Sequence, residues 1–149
     1  MAVDYGRARI GLAIADAVTQ MPKPLATLER VNRNEDMRRL RELVRDHGVK
    51  QIVVGLPLRL DGTRGEMAEE AERFAQRMAK QIGVPVEMAD ERLTSWEAQR
   101  LLEEEFGRVS RRESKGKGSA ASVTSVDAVA AAVILKEYLE KRRELNQNI

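Results

Sequence analysis

Three carboxylates frame the chemistry this chain can do: Asp4 near its start, Glu91 within Asp90-Glu-Arg92, and Asp127 within Val126-Asp-Ala-Val-Ala-Ala-Ala132. Asp4 ends a short apolar stretch and opens a turn, Asp4-Tyr-Gly6-Arg7-Ala-Arg9, that carries two arginines. A carboxylate beside flexible backbone and guanidinium groups suits a metal ion or a phosphate. Three carboxylates brought together from separate segments repel one another unless a divalent cation neutralises them. An all-oxygen ligand set, with no histidine or cysteine in it, points to Mg2+ or Mn2+. Two such ions can hold the attacking and leaving oxygens of an in-line phosphodiester displacement.

Taken singly, each acid has a plainer role. Asp4 can be a turn residue, Glu91 the surface partner of an arginine, and Asp127 a favourable charge at a helix N-terminus. What joins them is the order of elements that must position them. Residues 10–16 are nearly all apolar and read as a strand covered on both faces. A third strand is expected within 24–31, where Pro22 and Pro24 oppose a helix. Asn34 is the expected cap of a helix that buries Met37, Leu40, Leu43 and Val44 and stops at Gly48. Gln51 to Pro57 reads as a buried strand running into a turn.

Thr63 and Glu66 have capping-box spacing before a helix with an apolar stripe of Met67, Ala71, Phe74, Ala75, Met78 and Ile82, ended by Gly83. Val84 to Asp90 reads as another strand. Thr94 and Glu97 open a helix to about Glu105, residues 107–123 read as a mobile basic loop, and a last helix spans about Ser125 to Arg143. Close-spaced opening strands pair antiparallel, whereas strands joined by helical crossovers lie parallel. The expectation is an α/β fold, a mixed five-stranded sheet with strand 1 central and helices on both faces. Ligands bind such sheets outside the carboxyl ends of the strands. Asp4, Gly55-Leu-Pro57 and Asp90-Glu-Arg92 map there, and Asp127 joins them if its alanine-rich helix lies close against the sheet.

Composition narrows the classes. A chain of 149 residues, 42% hydrophobic, fits one domain over 1–149. The absence of cysteine excludes a disulfide scaffold and cysteine-bound zinc. No apolar run reaches membrane-spanning length and no signal-peptide layout opens the chain, so the expected location is cytoplasmic. The net charge of +2 hides clusters at Arg7 and Arg9, at Arg108, Arg111, Arg112, Lys115 and Lys117, and at Lys141 to Arg143. Clustered cations beside acids suit a polyanion. With aromatics only 3% of residues, a base-stacking platform is not indicated. His47, the single histidine, falls at a helix end and reads as surface, and Trp96 reads as a core anchor.

Four ordered blocks carry a resemblance: Asp4-Tyr-Gly-Arg-Ala-Arg-Ile-Gly-Leu-Ala-Ile-Ala-Asp16; Val53-Val-Gly-Leu-Pro57 with Asp61-Gly-Thr63; Asp90-Glu-Arg-Leu-Thr94; and Val126 to Ala132. In this order and spacing the chain resembles the YqgF (RuvX) family of RNase H-like nucleases, relatives of the RuvC Holliday-junction resolvases. The resemblance implies an RNase H-like fold with strand order 3-2-1-4-5 and a metal-dependent nuclease, a hydrolase of phosphodiesters. It implies maturation of the 5′ end of pre-16S rRNA in ribosome biogenesis, with resolution of four-way DNA in recombination or repair as the alternative. By motif position, Asp4, Glu91 and Asp127 are the implied catalytic metal ligands, with Asp90 a less favoured substitute for Glu91. Gly6, Arg7, Arg9, Arg92, Arg111 and Arg112 are the candidate substrate contacts. Nucleic acid, ribosome or transcription factors, and a second copy of the chain meeting the exposed side of the 66–82 helix are the candidate partners.

The chain departs from the family pattern in three places. Three residues precede Asp4 where members usually carry five or six, Ala8 stands where lysine is common, and Gly55-Leu-Pro57 replaces the acid that resolvases carry after strand 4. A sugar kinase or actin-like ATPase shares the opening aspartate-glycine turn, but needs a second phosphate-binding half that 149 residues cannot hold. A non-catalytic RNA- or factor-binding member is the other rival.

Overall fold

The computed structural model describes residues 1–56, 65–90 and 126–147. The expected 94–105 helix, the 107–123 loop and Trp96 lie outside them. The elements are β1 (Ala2–Asp4), β2 (Arg9–Ala15), β3 (Pro22–Glu29), α1 (Arg33–Asp46), β4 (Ile52–Leu56), α2 (Glu66–Ile82), β5 (Val86–Asp90) and α3 (Val126–Gln147).

The five strands form one sheet in the order β3-β2-β1-β4-β5. β1 pairs antiparallel with β2, and β2 with β3, while β4 runs parallel to both β1 and β5. This is the arrangement the sequence predicts. The two antiparallel pairs need only short connections, and the two parallel steps are crossed by α1 and α2.

Alternation along the strands sorts residues between two cores. Val3, Ile10, Leu12, Ile52 and Val54 face Met37, Leu40, Phe74 and Met78 of α1 and α2. Ala2, Ala13 and Val53 face Ala131, Ala132, Ile134 and Leu135 of α3. Each face is thus covered by helix, which explains why β2 reads as a continuous apolar run.

Helix ends differ from expectation in detail. Asn32, not Asn34, caps α1: its side chain accepts from the Glu35 backbone N–H at 2.8 Å. Asn34 falls inside the first turn. Gly65 stands at the N-cap of α2 with no side-chain cap bond, and Thr63 lies outside the described residues. Gly83 ends α2 at φ 82° in the left-handed region, as its position in the sequence suggests. β5 begins at Val86 rather than Val84, and α3 continues past Arg143 to Gln147. No helix among the described residues is long and apolar enough to cross a membrane.

Candidate nuclease site at the carboxyl edge of the sheet

Asp4 is the last residue of β1 and stands directly opposite Gly11 of β2. Residues opposite one another on antiparallel strands send their side chains to the same face. Ala2 and Ala13, the next such pair on that face, lie in the α3 core, so Asp4 belongs to the α3 face.

Gly11 shows how close α3 comes. A Cβ on Gly11 would stand 1.9 Å from the Asp127 carbonyl oxygen and 3.0 Å from the Ala128 nitrogen. Only a residue without a side chain admits the first turn of α3 here. Ala128, Ala131 and Ala132, all fully buried, continue the close approach along the helix. The glycine opposite Asp4 therefore brings the backbone of Asp127 to the same place, and two carboxylates from elements 123 residues apart in sequence share one sheet edge.

The Asp127 side chain is partly exposed and accepts from Arg9 Nε at 3.0 Å. Arg9 opens β2 on the same face. Arg7, only two residues earlier, turns the other way. Its guanidinium donates to Glu70 of α2, with Nη2 to Oε1 at 2.8 Å and Nε to both oxygens at 3.1 Å, and lies 3.6 Å from Glu66. The Arg7 guanidinium holds the Glu70 carboxyl below the usual glutamate range. The two arginines of the opening turn thus serve opposite faces of the sheet.

The turn between them is held from below by a network absent from the candidate residues of the sequence. Arg30 Nη1 donates to the Tyr5 hydroxyl at 3.0 Å and to the Gly6 carbonyl at 3.3 Å, and Tyr5 donates to Glu70 at 3.2 Å. The Arg30 guanidinium lies 5.1 Å from the Tyr5 ring centre and 5.5 Å from that of Phe74, within cation–π range. Its Nε donates to Asp36 at 3.1 Å. Asp36 is 1% exposed and also accepts from Arg39 and the Val31 backbone N–H. Burial pushes its carboxyl up, but these donors prevail and hold it below the ordinary aspartate value. A polar residue among the apolar positions of α1 was the available signal, and Asn-Glu-Asp36-Met reads simply as an acidic first turn. Gly6 is confined too: a Cβ there would lie 2.3 Å from the Arg9 carbonyl oxygen.

β5 separates the two late acids. Val86 and Met88 pack into the α1–α2 core, while Ala89 packs into the α3 core. Asp90 has the parity of Met88 and belongs to the face opposite Asp4. Glu91, Arg92, Arg111 and Arg112 lie outside the described residues. Among the described residues no group of three acids, histidines or cysteines is close enough to hold a metal ion; Asp4 and Asp127 are the candidate acids that the described structure brings to one edge. At the other end of α3, Arg142 and Arg143 donate to Gln51 and Gln20, and the Tyr138 hydroxyl links Gln51 to Glu87. These bonds fasten the helix to the sheet, so that cluster is structural in part.

The model of the RuvX family, described as Holliday junction resolvase, matches residues 1–141. The chain belongs to the RuvX family. A relative from Anaeromyxobacter sp. (strain K), named "Putative pre-16S rRNA nuclease", is 44% identical over 142 residues, 95% of this chain and 96% of its own. One of the same name from Chloroflexus aurantiacus is 38% identical over 143 residues, 96% of this chain and 87% of its own. Among solved structures, T. thermophilus RuvC in complex with Holliday junction substrate superposes with a TM-score of 0.52 at 15% identity, covering 95% of this chain and 92% of that one. The RuvX chain thus has the RNase H-like fold of RuvC, with Asp4 and the start of α3 at its carboxyl edge.

Proposed function

We propose that the protein is a divalent-metal-dependent nuclease that cleaves the phosphodiester backbone of pre-16S rRNA in the cytoplasm. The carrying observation is the meeting of Asp4 with the first turn of α3 across Gly11, in a RuvX chain whose relatives are named for that RNA. The described donors are carboxylate oxygens, the chemistry a hard cation prefers. Asp4 and Asp127 would hold the ion, and Glu91 would be the third ligand in preference to Asp90, whose strand position has the parity of Met88. A bound magnesium or manganese would polarise the scissile phosphate and make a water acidic enough to attack it at neutral pH.

The chain's own residues prepare that site. Asp4 is fixed by strand pairing and Asp127 by helix packing, so neither carboxylate must be ordered when substrate arrives. Arg9 satisfies Asp127 before an ion does and is then placed to meet a phosphate oxygen. Arg7 is committed to Glu70 and serves the turn more than the substrate. Arg92, Arg111 and Arg112 remain the candidate contacts for neighbouring phosphates.

The test offers labelled pre-16S rRNA and a four-way DNA junction side by side, each with magnesium or manganese. RNA cleavage is expected, with Asp4→Asn slower by at least about a hundredfold, since even outer-shell partners of a metal cost ten- to hundredfold. An Asp4→Asn protein that cuts at the wild-type rate overturns the scheme. The likeness of fold to a junction-bound RuvC favours the second reading, and cleavage of the junction alone would establish it.

A further inference from the structure

The strongest uncommitted charge in the described molecule lies on the α1–α2 side, behind the opening turn. α1 and α2 run alongside one another, with Arg41 Nε donating to the Gln81 carbonyl at 3.3 Å near their C-terminal ends. Two turns earlier in each helix stand Arg33 and Arg73, with Arg77 one turn beyond Arg73. Positions 66, 70, 73 and 77 form one stripe of α2, so Arg73 and Arg77 continue the line of Glu66 and Glu70, which Arg7 meets. Arg30 lies over Phe74 of α2 at 5.5 Å and pairs with Asp36 of α1 at 3.1 Å, so it touches both helices.

Arg30, Arg33, Arg73 and Arg77 therefore share the α1–α2 side, and among the described residues only Arg30 of the four has a carboxylate partner. Arg30 is neutralised by Asp36 at 3.1 Å. Arg33, Arg73 and Arg77 form no salt bridge within 4.0 Å of a carboxylate among the described residues. The nearest acid on the stripe, Glu70, is already engaged by Arg7 and Tyr5. Arg77 is partly buried, and its pKa is lowered from the ordinary arginine value first by that burial and then by the charges of Arg33, Arg30 and Arg73. Such a cluster is unfavourable until an anion occupies it.

We infer that Arg33, Arg73 and Arg77 form a second phosphate-binding surface that holds the RNA backbone beyond the cleavage site. The inference rests on the nuclease reading for its choice of polyanion. Arg77 lies roughly 10 Å along α2 from Glu70, at 1.5 Å per residue, so a strand leaving the sheet edge over the Tyr5–Arg7 turn reaches the cluster directly. The same charge argues against two copies meeting through this side of α2, since like arginines would face one another.

The experiment measures the salt dependence of binding to single-stranded pre-16S RNA in an Asp4→Asn background, where the RNA stays intact. Three lost phosphate contacts should lower the slope of log affinity against log salt by about 2. Arg33→Gln/Arg73→Gln/Arg77→Gln should show that loss, and the corresponding triple Lys variant should restore it, because a backbone phosphate needs a point charge and not a fork. The exposed pair Arg33→Gln/Arg73→Gln, which leaves the partly buried Arg77 in place, should show about two-thirds of it. Hydrolysis of a small phosphodiester by the triple Gln variant with Asp4 restored should match wild type.

An unchanged slope overturns the inference, as does a loss that lysine fails to restore. Loss of polyglutamate binding with an unchanged RNA slope would assign the surface to an acidic protein and overturn it equally. If the slope falls although wild type cuts no nucleic acid, the surface stands and the nuclease reading fails. If RNA is cut and the slope is unchanged, the reverse holds.

Discussion

Arg9 and Asp127 meet where the proposed ion would bind, and their geometry says which role the pair has. Arg9 is 60% exposed in its side chain and Asp127 30%, and an ion pair so open to water contributes little to folding, under about 1 kcal/mol. Its consequence falls on the carboxylate: a guanidinium occupying one oxygen competes with any other cation. Arg9→Gln should therefore leave the urea midpoint almost unmoved, within about 1 kcal/mol of stability, and raise the affinity for manganese in a direct titration of the metal. Weaker manganese binding in Arg9→Gln would show that the arginine orders Asp127 rather than competes for it. Asp36 presents the opposite case, a buried carboxylate whose partners make it structural.

At the scale of elements, the site exists because α3 lies closer to the sheet than a side chain would allow. Gly11→Ala places a Cβ 1.9 Å from the Asp127 carbonyl oxygen, and backbone on both sides must move. A loss of about 2–3 kcal/mol is expected, the upper range for overpacking, with manganese affinity falling as Asp127 withdraws from Asp4. Denaturation and metal titration of the same variant check both, and an unaltered stability would mean α3 is free to shift. The sheet was legible because each signal was local: apolar runs, prolines at 22 and 24, and glycines at 48 and 83. Asp4 and Asp127 were legible as a pair once strand order and alanine packing were combined. The decisive glycine was not, since Gly11 sits in an apolar run and its reason is a contact with a helix more than a hundred residues away. The sequence does not single out Asn32 as the α1 cap, because Asn34 offers the same chemistry two positions on and only backbone geometry selects between them. The split of Arg7 from Arg9 was equally hidden, for two arginines in one turn look like one cluster until the strand assigns them faces.

The whole molecule is held by more than its two apolar cores. Asp36, Arg30, Tyr5, Glu70 and Arg7 link α1, the end of β3, the opening turn and α2 in one chain of hydrogen bonds, so the turn bearing Asp4 is tied to the bulk of the α1–α2 side. This makes the fold sensitive to acid in a defined direction. The carboxyls of Asp36 and Glu70 are both held below their ordinary values, Asp36 by donors that outweigh its burial and Glu70 first by Arg7. A carboxyl with a lower pKa folded than unfolded binds fewer protons when folded, so its stabilisation is complete above the unfolded value, about 4, and drains away as pH falls through the folded one. Asp36→Asn strands Arg30 and Arg39 with half their partners and should cost about 3 kcal/mol at pH 7, as for breaking a buried pair. The gap between wild type and variant in urea denaturation should hold steady from pH 7 to about 5 and narrow below about pH 4. A gap of constant size down to pH 3 would place the stabilisation in packing around Asp36, because the ionised acid and the amide present nearly the same shape but not the same charge, and protonation removes that difference.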